Sequence, residues 1–304
     1  MINKIIKGLK DPRIVVSIIW EACSKLILSD RLYLKVYYYL HTEKHLNLDN
    51  PITFTEKTQW LKLHNTRPIC TQMADKYAVR QLVSDSIGED YLIPLWGVWD
   101  SFEEINFDQL PQKFVLKTNH DSGSVVICKD KEKLDKEAAK KKLTKSLKNN
   151  YFWAGREYPY KNIKPCIIAE AFMENEGEEG LSDYKFFCFG GKPEILFYAS
   201  DRFNKEGENT KFDYYDMGLN HLPIRSRGHN NKNLVIPMTE QFKEMKRLAA
   251  KLSTGFPFLR VDFYLINGKV YFGELTFHHD GGVVPFIPEE WNVKFGSMIN
   301  IENY

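Results

Sequence analysis

The stretch VDFYLINGKVYFGELTF, residues 261–277, reads as two apolar strands folded around Asn267-Gly268, yet each strand carries a carboxylate, Asp262 and Glu274. Asn-Gly is the strongest short-range signal for a two-residue hairpin turn, because both residues tolerate the positive φ such a turn needs. With Ile266 opposite Lys269, one face of the hairpin holds Val261, Phe263, Leu265, Val270 and Phe272. In a regular hairpin Glu274 would join that apolar face while Asp262 pointed away from it, so the two acids would not meet. Gly273 changes this. An isolated glycine inside a strand marks a bulge, and one extra residue turns everything after it to the opposite face. The reading therefore predicts a bulge at Gly273 that brings Glu274 beside Asp262. Two converging carboxylates on rigid strands suit a hard cation such as Mg²⁺, which takes one or two carboxylates and completes its shell with phosphate oxygens and water. The plainer reading is a pair of solvated strand-end acids.

Working outward, the chain from Lys113 is a series of short β runs, KFVLKT, SVVICK, CIIAEAF, DYKFFCF and PEILFYAS, that leads into the hairpin. A lysine-rich helix over about residues 131–148 lies between the second and third runs, its charges most simply a solvated face. NKEGENTK and RSRGHNNKN read as exposed polar loops, and MTEQFKEMKRLAAKLS as a capped amphipathic helix. Before about residue 86 glycine is scarce and helical spacing dominates, as in DRLYLKVYYYLH and TFTEKTQWLKLH, where Thr53 and Glu56 form a capping box. YLIPLWGVWDSF gathers Pro, Gly and aromatics as a turn-rich entry to the next unit. The fold class is α+β, with largely antiparallel strands behind a helical front.

A chain of 304 residues that is 43% hydrophobic and 14% aromatic has ample core for about two domains. A net charge of +2 is too balanced for a nucleic-acid binder. Cys23, Cys70, Cys128, Cys166 and Cys188 are scattered singly with no C-x-x-C, which argues against a disulfide framework or a zinc site and fits a reducing cytoplasm. IVVSIIWEACSKLIL is broken by Glu21 and Lys25, well short of the ~18 apolar residues of a membrane span. Glu21 also sits where a signal peptide would end in small residues, so an amphipathic helix covering the core is expected.

Several segments carry candidate chemistry. FVLKTNHDSGSVVI sets Lys117 at a strand end before a turn with Ser122, Gly123 and Ser124, small residues that let backbone N–H groups approach phosphate; a hairpin turn with one surface lysine is the plainer reading. DKYAVR places Lys76 and Arg80 one helical turn apart on one face, most simply a solvated helix. IIAEAF ends an apolar strand at Glu170, and DYKFFCF puts Asp183 and Lys185 on one strand face among aromatics, where charges need partners. FLRVDFY aligns Arg260 with Asp262, beside Glu274 and Thr276, and Arg260 there would neutralise a phosphoryl or carboxylate group. His278 and His279 follow; adjacent histidines point to opposite sides and more often mean one exposed and one packed residue than a metal pair.

In their order along the chain, DRLYLKVYYYLH, FTEKTQWLKLH, ADKYAVR, LPQKFVLKTNHDSG, IIAEAF, DYKFFCFGGKP, RVDFY and GELTF, these segments resemble the ATP-grasp superfamily, and within it the teichuronopeptide-biosynthesis (TupA-like) amidoligases. The resemblance covers nearly everything after about residue 30. It implies an ATP-grasp fold of two antiparallel sheet lobes clasping ATP, with a helical region over 1–110, a small lobe with a lid over 111–185, and a large lobe with metal and acceptor sites over 186–304. It implies that Lys76 and Lys117 meet the ATP phosphates under a lid of His120, Ser122, Gly123 and Ser124. Glu170, Ala171 and Phe172 would be the adenine hinge, with Asp183 near the ribose. Asp262 and Glu274 would bridge Mg²⁺, with Thr276 where many relatives have Asn. Arg260 and Lys185 are the expected catalytic cations, Arg260 steadying the reacting carboxyl-phosphate.

Two departures stand out. The family usually has glycine where this chain has Asp121, and again where it has Ser124. FHHDGG replaces a usually Pro-containing loop, which assigns His278 and His279, with Asp280, to acceptor choice. Arg202, Arg225 and Arg227 are candidates for gripping an anionic acceptor, or simple surface charge. The function implied is a cytoplasmic, ATP- and Mg²⁺-dependent amidoligase joining an amine to a small-molecule or glycan acid, such as a uronic acid of a bacterial capsular polysaccharide, with peripheral association with membrane-bound assembly machinery. The alternatives are an ATP-grasp-like kinase of a sugar hydroxyl and a non-catalytic nucleotide-binding scaffold.

Overall fold

The computed structural model describes residues 12–27, 29–175, 181–200, 210–226, 228, 230 and 234–302. Helices come first among these: α1 (Pro12–Ala22), α2 (Asp30–Thr42), α3 (Phe54–His64), α4 (Pro68–Ala74) and α5 (Val79–Ile87). Ser29 caps α2 by accepting from Leu32 N, and α3 starts at the expected capping box, Thr53 accepting from Glu56 N while the Glu56 side chain accepts from Thr53 N. Two entirely antiparallel sheets follow. The smaller has the order β1-β4-β2-β3, from β1 (Leu95–Trp99), β2 (Phe114–Thr118), β3 (Val125–Cys128) and β4 (Ile167–Ala171). Between β3 and β4 run α6 (Lys136–Leu147) and the short α7 (Phe152–Gly155). The larger sheet has the order β10-β9-β5-β6-β7-β8. Its strands are β5 (Asp183–Phe189), β6 (Lys192–Ser200), β7 (Lys211–Asp216), β8 (His221–Leu222), β9 (Phe258–Ile266) and β10 (Lys269–Thr276), with α8 (Glu240–Ser253) before β9 and α9 (Glu290–Met298) after β10.

Three of these strands escape the sequence reading. β1 lies in the segment taken as a turn-rich entry, where Pro94 and Gly97 mask a strand that bulges between Leu95 and Gly97. β7 and β8 lie between polar loops and extend the larger sheet beyond β6. The boundaries expected at 110 and 185 cut across sheets, since β1 belongs to the smaller sheet and β5 sits inside the larger.

The larger sheet divides its two faces by charge. One face packs Phe186, Leu196, Val261, Phe263, Val270 and Phe272 against Phe242, Met245, Leu248 and Leu252 of α8. The other packs Phe187, Phe197, Tyr214 and Phe258 against Phe54 of α3 and Phe295 of α9 at one end, and leaves its charged end open. Burying these aromatics, at roughly 25 cal/mol per Å² of apolar surface, fixes the strands that carry the charged residues. The smaller sheet rests on α6 through Leu116, Ala139 and Leu143. α1 forms as expected, but Val15, Val16 and Ile19 on it are 41%, 48% and 57% exposed, so it covers core with part of its surface only. No described helix is long and apolar enough to cross a membrane.

Candidate functional site

The hairpin bulges at Gly273. Phe272 pairs with Phe263 and Glu274 with Asp262, with the register shift between them. As a result Phe272, Leu275 and Phe277 all stay in the apolar core, while Glu274 and Thr276 emerge on the face of Arg260 and Asp262. β5 brings Lys185 opposite Asp262 and Asp183 opposite Tyr264. Arg260 clamps both acids: its Nε donates to Asp262 Oδ1 at 2.7 Å, and its Nη2 to Asp262 Oδ2 at 2.8 Å and Glu274 Oε1 at 2.7 Å. Lys185 Nζ donates to Asp262 Oδ2 at 2.5 Å and to Asp183 Oδ1 at 3.1 Å. Asp262 and Asp183 are each only 1% exposed, and carboxylates so deep persist only with such partners. The Glu274 side chain, by contrast, is 46% exposed. Partial burial would raise its pKa, but Arg260, Lys185 and Lys76 outweigh that and bring it down to about 2, so it is ionised at neutral pH.

Across from this cluster, the smaller sheet contributes cations. Lys117 Nζ lies 2.6 Å from Glu170 Oε2, and Arg80 Nη1 3.5 Å from Glu170 Oε1. Lys76 is not on a helix shared with Arg80, because Asp75 Oδ1 accepts from Tyr77 N and Ala78 N and delays α5 to Val79. Instead Lys76 sits in the preceding turn, where its N donates to Asn119 O at 3.0 Å and its Nζ to Asp121 O. Burial lowers its pKa, with Glu274 pulling the other way and Lys117 adding to the fall. The turn after β2 is pinned by Asp121, whose carboxylate accepts from Thr118 Oγ1 at 2.6 Å, from Ser146 Oγ at 2.6 Å and from Ser124 Oγ. Despite burial, these three hydroxyls and Lys76 keep the Asp121 carboxyl below its usual pKa. Gly123, at φ 91°, forms the open tip of the loop.

Both sheets face one cleft of about 910 Å³, lined by Lys76, Lys117, Asp121, Ser122 and Gly123 on one side and by Asp183, Lys185, Arg260, Glu274, Thr276 and His278 on the other. The sequence matches the model of the TupA-like ATP-grasp family over residues 56–300. The chain belongs to that family.

The two antiparallel sheets are the lobes of an ATP-grasp fold, and ATP with Mg²⁺ is the cofactor pair of the family. No curated protein matches the sequence. Among solved structures, the D-alanine–D-alanine ligase of Bacillus anthracis complexed with ATP is 16% identical, over 67% of this chain and 53% of that one, with a TM-score of 0.38. The D-alanine–D-alanine ligase of Helicobacter pylori is 14% identical over 81% and 68%, at a TM-score of 0.39. The ATP-grasp ligase PsnB, complexed with a minimal precursor, Mg and ADP, is 11% identical over 69% and 52%, at 0.37. The TupA-like chain spans about half the length of the first and third of these.

Other expected site residues of this ATP-grasp chain lie off the cleft. His120 is 2% exposed and turns Nε2 onto the carbonyls of Ser146 and Asn149, at 3.2 and 2.9 Å, because the turn directs its ring under the C-terminal end of α6. Ser124 spends its hydroxyl on Asp121. Glu170 is held between Lys117 and Arg80, Ala171 N donates to Pro94 O at 2.9 Å, and Phe172 lies under Lys113 and Lys129. His279 is not at the cleft wall: it is 1% exposed, packed on Phe187, Phe197 and Phe286, and its Nδ1 meets Arg260 Nη1 at 3.0 Å. Neither histidine of the pair is exposed, since His278 is also buried, with Nδ1 3.3 Å from Glu157 Oε2. Arg225 is exposed and forms a backbone bridge with Ile287; Arg202 and Arg227 lie outside the described residues. The cleft also exposes residues the sequence reading missed, Tyr37, Tyr151, Glu157 and Tyr160, which come from three separate segments with no pattern to announce them.

Proposed function

We propose that this TupA-like ATP-grasp protein is an ATP- and Mg²⁺-dependent carboxylate–amine ligase. Its acid is a small-molecule or glycan carboxylate such as a uronic acid of a bacterial surface polysaccharide or its precursor, and its amine is an amino acid or similar donor. The observation that carries the reading is the Asp262–Glu274–Arg260–Lys185 cluster, which opens into the cleft opposite Lys76 and Lys117. A substrate carboxylate oxygen attacks the terminal phosphorus of ATP and the bond to ADP breaks. The amine, after losing a proton to water to become the neutral nucleophile, then attacks the acylphosphate carbon, phosphate leaves, and the nitrogen sheds a second proton as the amide forms. Lys76 and Lys117 offset phosphate charge, and the 120–124 turn covers it. Arg260 acts chiefly by holding Asp262 and Glu274 in one geometry, since three of its hydrogen bonds go to them.

Glu274, ionised and open to the cleft, and Thr276 offer Mg²⁺ hard oxygen donors, and Asp262, 1% exposed with both oxygens held by Arg260 and Lys185, would join them only by giving up one of those contacts. Bound there, the ion supplies Lewis-acid charge to the transferring phosphoryl group. No group of three or more His, Cys, Asp or Glu among the described residues is arranged to hold a metal.

The test incubates the purified chain with ATP, Mg²⁺, sugar acids and amines, with hydroxylamine in parallel to trap an acylphosphate as hydroxamate. ADP, phosphate and an amide support ligation, and Glu274→Gln should abolish turnover while leaving the fold intact. ADP with a phosphorylated sugar would instead favour a kinase, and absence of turnover with every pair a non-catalytic scaffold.

A further inference from the structure

Beyond the phosphate-facing cations, the cleft continues into an end of opposite character, walled by Tyr37, Tyr151, Glu157, Tyr160 and the turn at Gly281. Its key residue is Glu157, a carboxylate only 8% exposed that still lines the cleft. Its one ionic contact among the described residues is His278, whose Nδ1 lies 3.3 Å from Oε2. No Lys or Arg nitrogen of the described residues comes within 4.0 Å of it. Lys62, buried behind Gly281, attracts Glu157 without pairing with it: its ammonium donates to the Gly281 carbonyl at 2.8 Å and lies 5.4 Å from the centre of the Tyr37 ring. A buried carboxylate with no Lys or Arg in direct contact is costly, by several kcal/mol in a dry site, so one that faces a cavity there has room for a cation in contact with it.

The walls say what would complete it. A Cβ placed on Gly281 would lie 3.5 Å from Tyr37 Oη and 3.9 Å from Glu157 Oε1, so phenol and carboxylate converge over that glycine. Tyr151 and Tyr160 stand edge to face at 4.9 Å. Burial, then Glu157, pushes the hydroxyls of Tyr37, Tyr151 and Tyr160 far above the usual phenol pKa, so they remain neutral hydrogen-bonding groups around the acid. A carboxylate ringed by neutral tyrosines suits an ammonium group, through an ion pair and cation–π contact. It does not suit the anionic partner, for which Lys76, Lys117, Lys185 and Arg260 line the same cleft.

We infer that this end of the cleft, built on Glu157 with Tyr37, Tyr151 and Tyr160, is the subsite for the amine substrate and receives it as a primary ammonium. The inference rests on the carboxylate–amine ligase reading and deepens it. It gives the helical front a task, because Tyr37 comes from α2. It also separates the reactants by charge: the anionic acid meets the cations beside Arg260 and Lys76, while the amine waits at the acidic end.

The probe is ethylammonium chloride, titrated into the full chain at constant ionic strength, with ethanol as the uncharged probe of similar size and ¹³C-labelled tyrosine rings as the readout. Ethylammonium should shift tyrosine resonances saturably and ethanol should not. Glu157→Gln should weaken ethylammonium at least about tenfold, whereas Glu157→Asp, which keeps the charge, should cost no more than about threefold. Tyr151→Leu should weaken it by about threefold through lost cation–π contact, independently of whether Glu157→Gln folds. ATP affinity unchanged in each variant reports an intact fold. Equal affinity in wild type and Glu157→Gln, equal response to ethanol, or no saturable response overturns the subsite. If ethylammonium binds through Glu157 but no acid–amine pair turns over, the ligase reading fails and the subsite stands. If an amide forms with an unchanged amine KM in Glu157→Gln, the subsite fails and the ligase reading stands.

Discussion

Gly273→Ala tests whether the bulge makes the site. A Cβ at 273 would lie 3.0 Å from the Asp262 carbonyl oxygen and 3.2 Å from Tyr264 Cε2. The tyrosine ring can tilt, but the carbonyl belongs to the paired strand and can move only by shifting the backbone that carries Asp262. Overpacking of this kind costs about 1–3 kcal/mol, while replacing glycine returns about 0.4–1 kcal/mol by restricting the unfolded chain. The net expectation is a loss of about 1–2 kcal/mol, measured as a lower urea midpoint with unchanged slope. The functional loss should exceed that, because the strand is displaced at the residue that Arg260 and Lys185 hold; Mg²⁺-dependent ATP affinity should fall at least about fivefold by calorimetry. Gly268→Ala is the control. Gly268 has φ 77° and open space around its Cβ, so alanine there costs about 1–2 kcal/mol in backbone strain at the hairpin tip, away from the acids. It should match the stability loss and leave ATP affinity within about twofold. Matching affinity losses in the two variants, or wild-type affinity in a destabilised Gly273→Ala, would refute the argument that the bulge positions the acids.

Acid should expose the Glu274 contribution separately. Glu274 titrates at about 2 in the fold against 4.5 as a free side chain; its folded pKa is depressed, so its stabilisation is complete above pH 4.5 and disappears as pH falls towards 2. With nearly half the side chain in water, solvent screening leaves about 1 kcal/mol of this, so Glu274→Gln should flatten the urea-midpoint profile between pH 4.5 and 2 by that amount; parallel profiles would contradict the coupling to Arg260. Asp121→Asn replaces an acceptor of three hydroxyl hydrogen bonds with a group that is half donor, at a cost of about 1–3 kcal/mol. Amide exchange at residues 120–124 should accelerate by at least tenfold, and unchanged exchange would show that the turn is held by something else.

The hairpin was legible because its signals are local: Asn267-Gly268 sets the register, and Gly273 sets the face on which Glu274 emerges. The antiparallel strands followed from β runs whose neighbours in sequence are also neighbours in space, such as β5 with β6 and β9 with β10, while their division into two sheets came from the family resemblance. What sequence reading lost depends on contacts between distant segments. Lys76 needed Asp75 to hold the turn open, and His120 and His279 needed the packing of α6 and of Phe187 to decide which way they face. The acidic end of the cleft was invisible for the same reason. Glu157 follows Arg156, which sits at φ 55° and is clamped by Ser24 O, Ile27 O and the Tyr33 ring, so its direction is fixed by residues more than a hundred positions earlier.

Asp121 and Ser124 are the two places in the turn after β2 where the family resemblance leads to an expectation of glycine, and each explains the other. Asp121 alone would put an unscreened charge next to phosphate oxygens, and Ser124 alone would replace a permissive residue without gain. Together, Ser124 donates to the Asp121 carboxylate, which Thr118 and Ser146 also hold, while Lys76 reaches the Asp121 carbonyl. The acid's charge is thus spent inside the turn, and a cation is fixed beside the phosphate position. Asp and Ser in place of glycine also leave the turn fewer conformations to lose on ordering. Ser122 and Gly123 remain free at the tip, where a backbone must still approach phosphate. A turn stiff at its base and open at its tip samples few shapes, and on the ligase reading proposed above the choice of substrates falls to the fixed walls behind it, where Glu157 and the tyrosines lie.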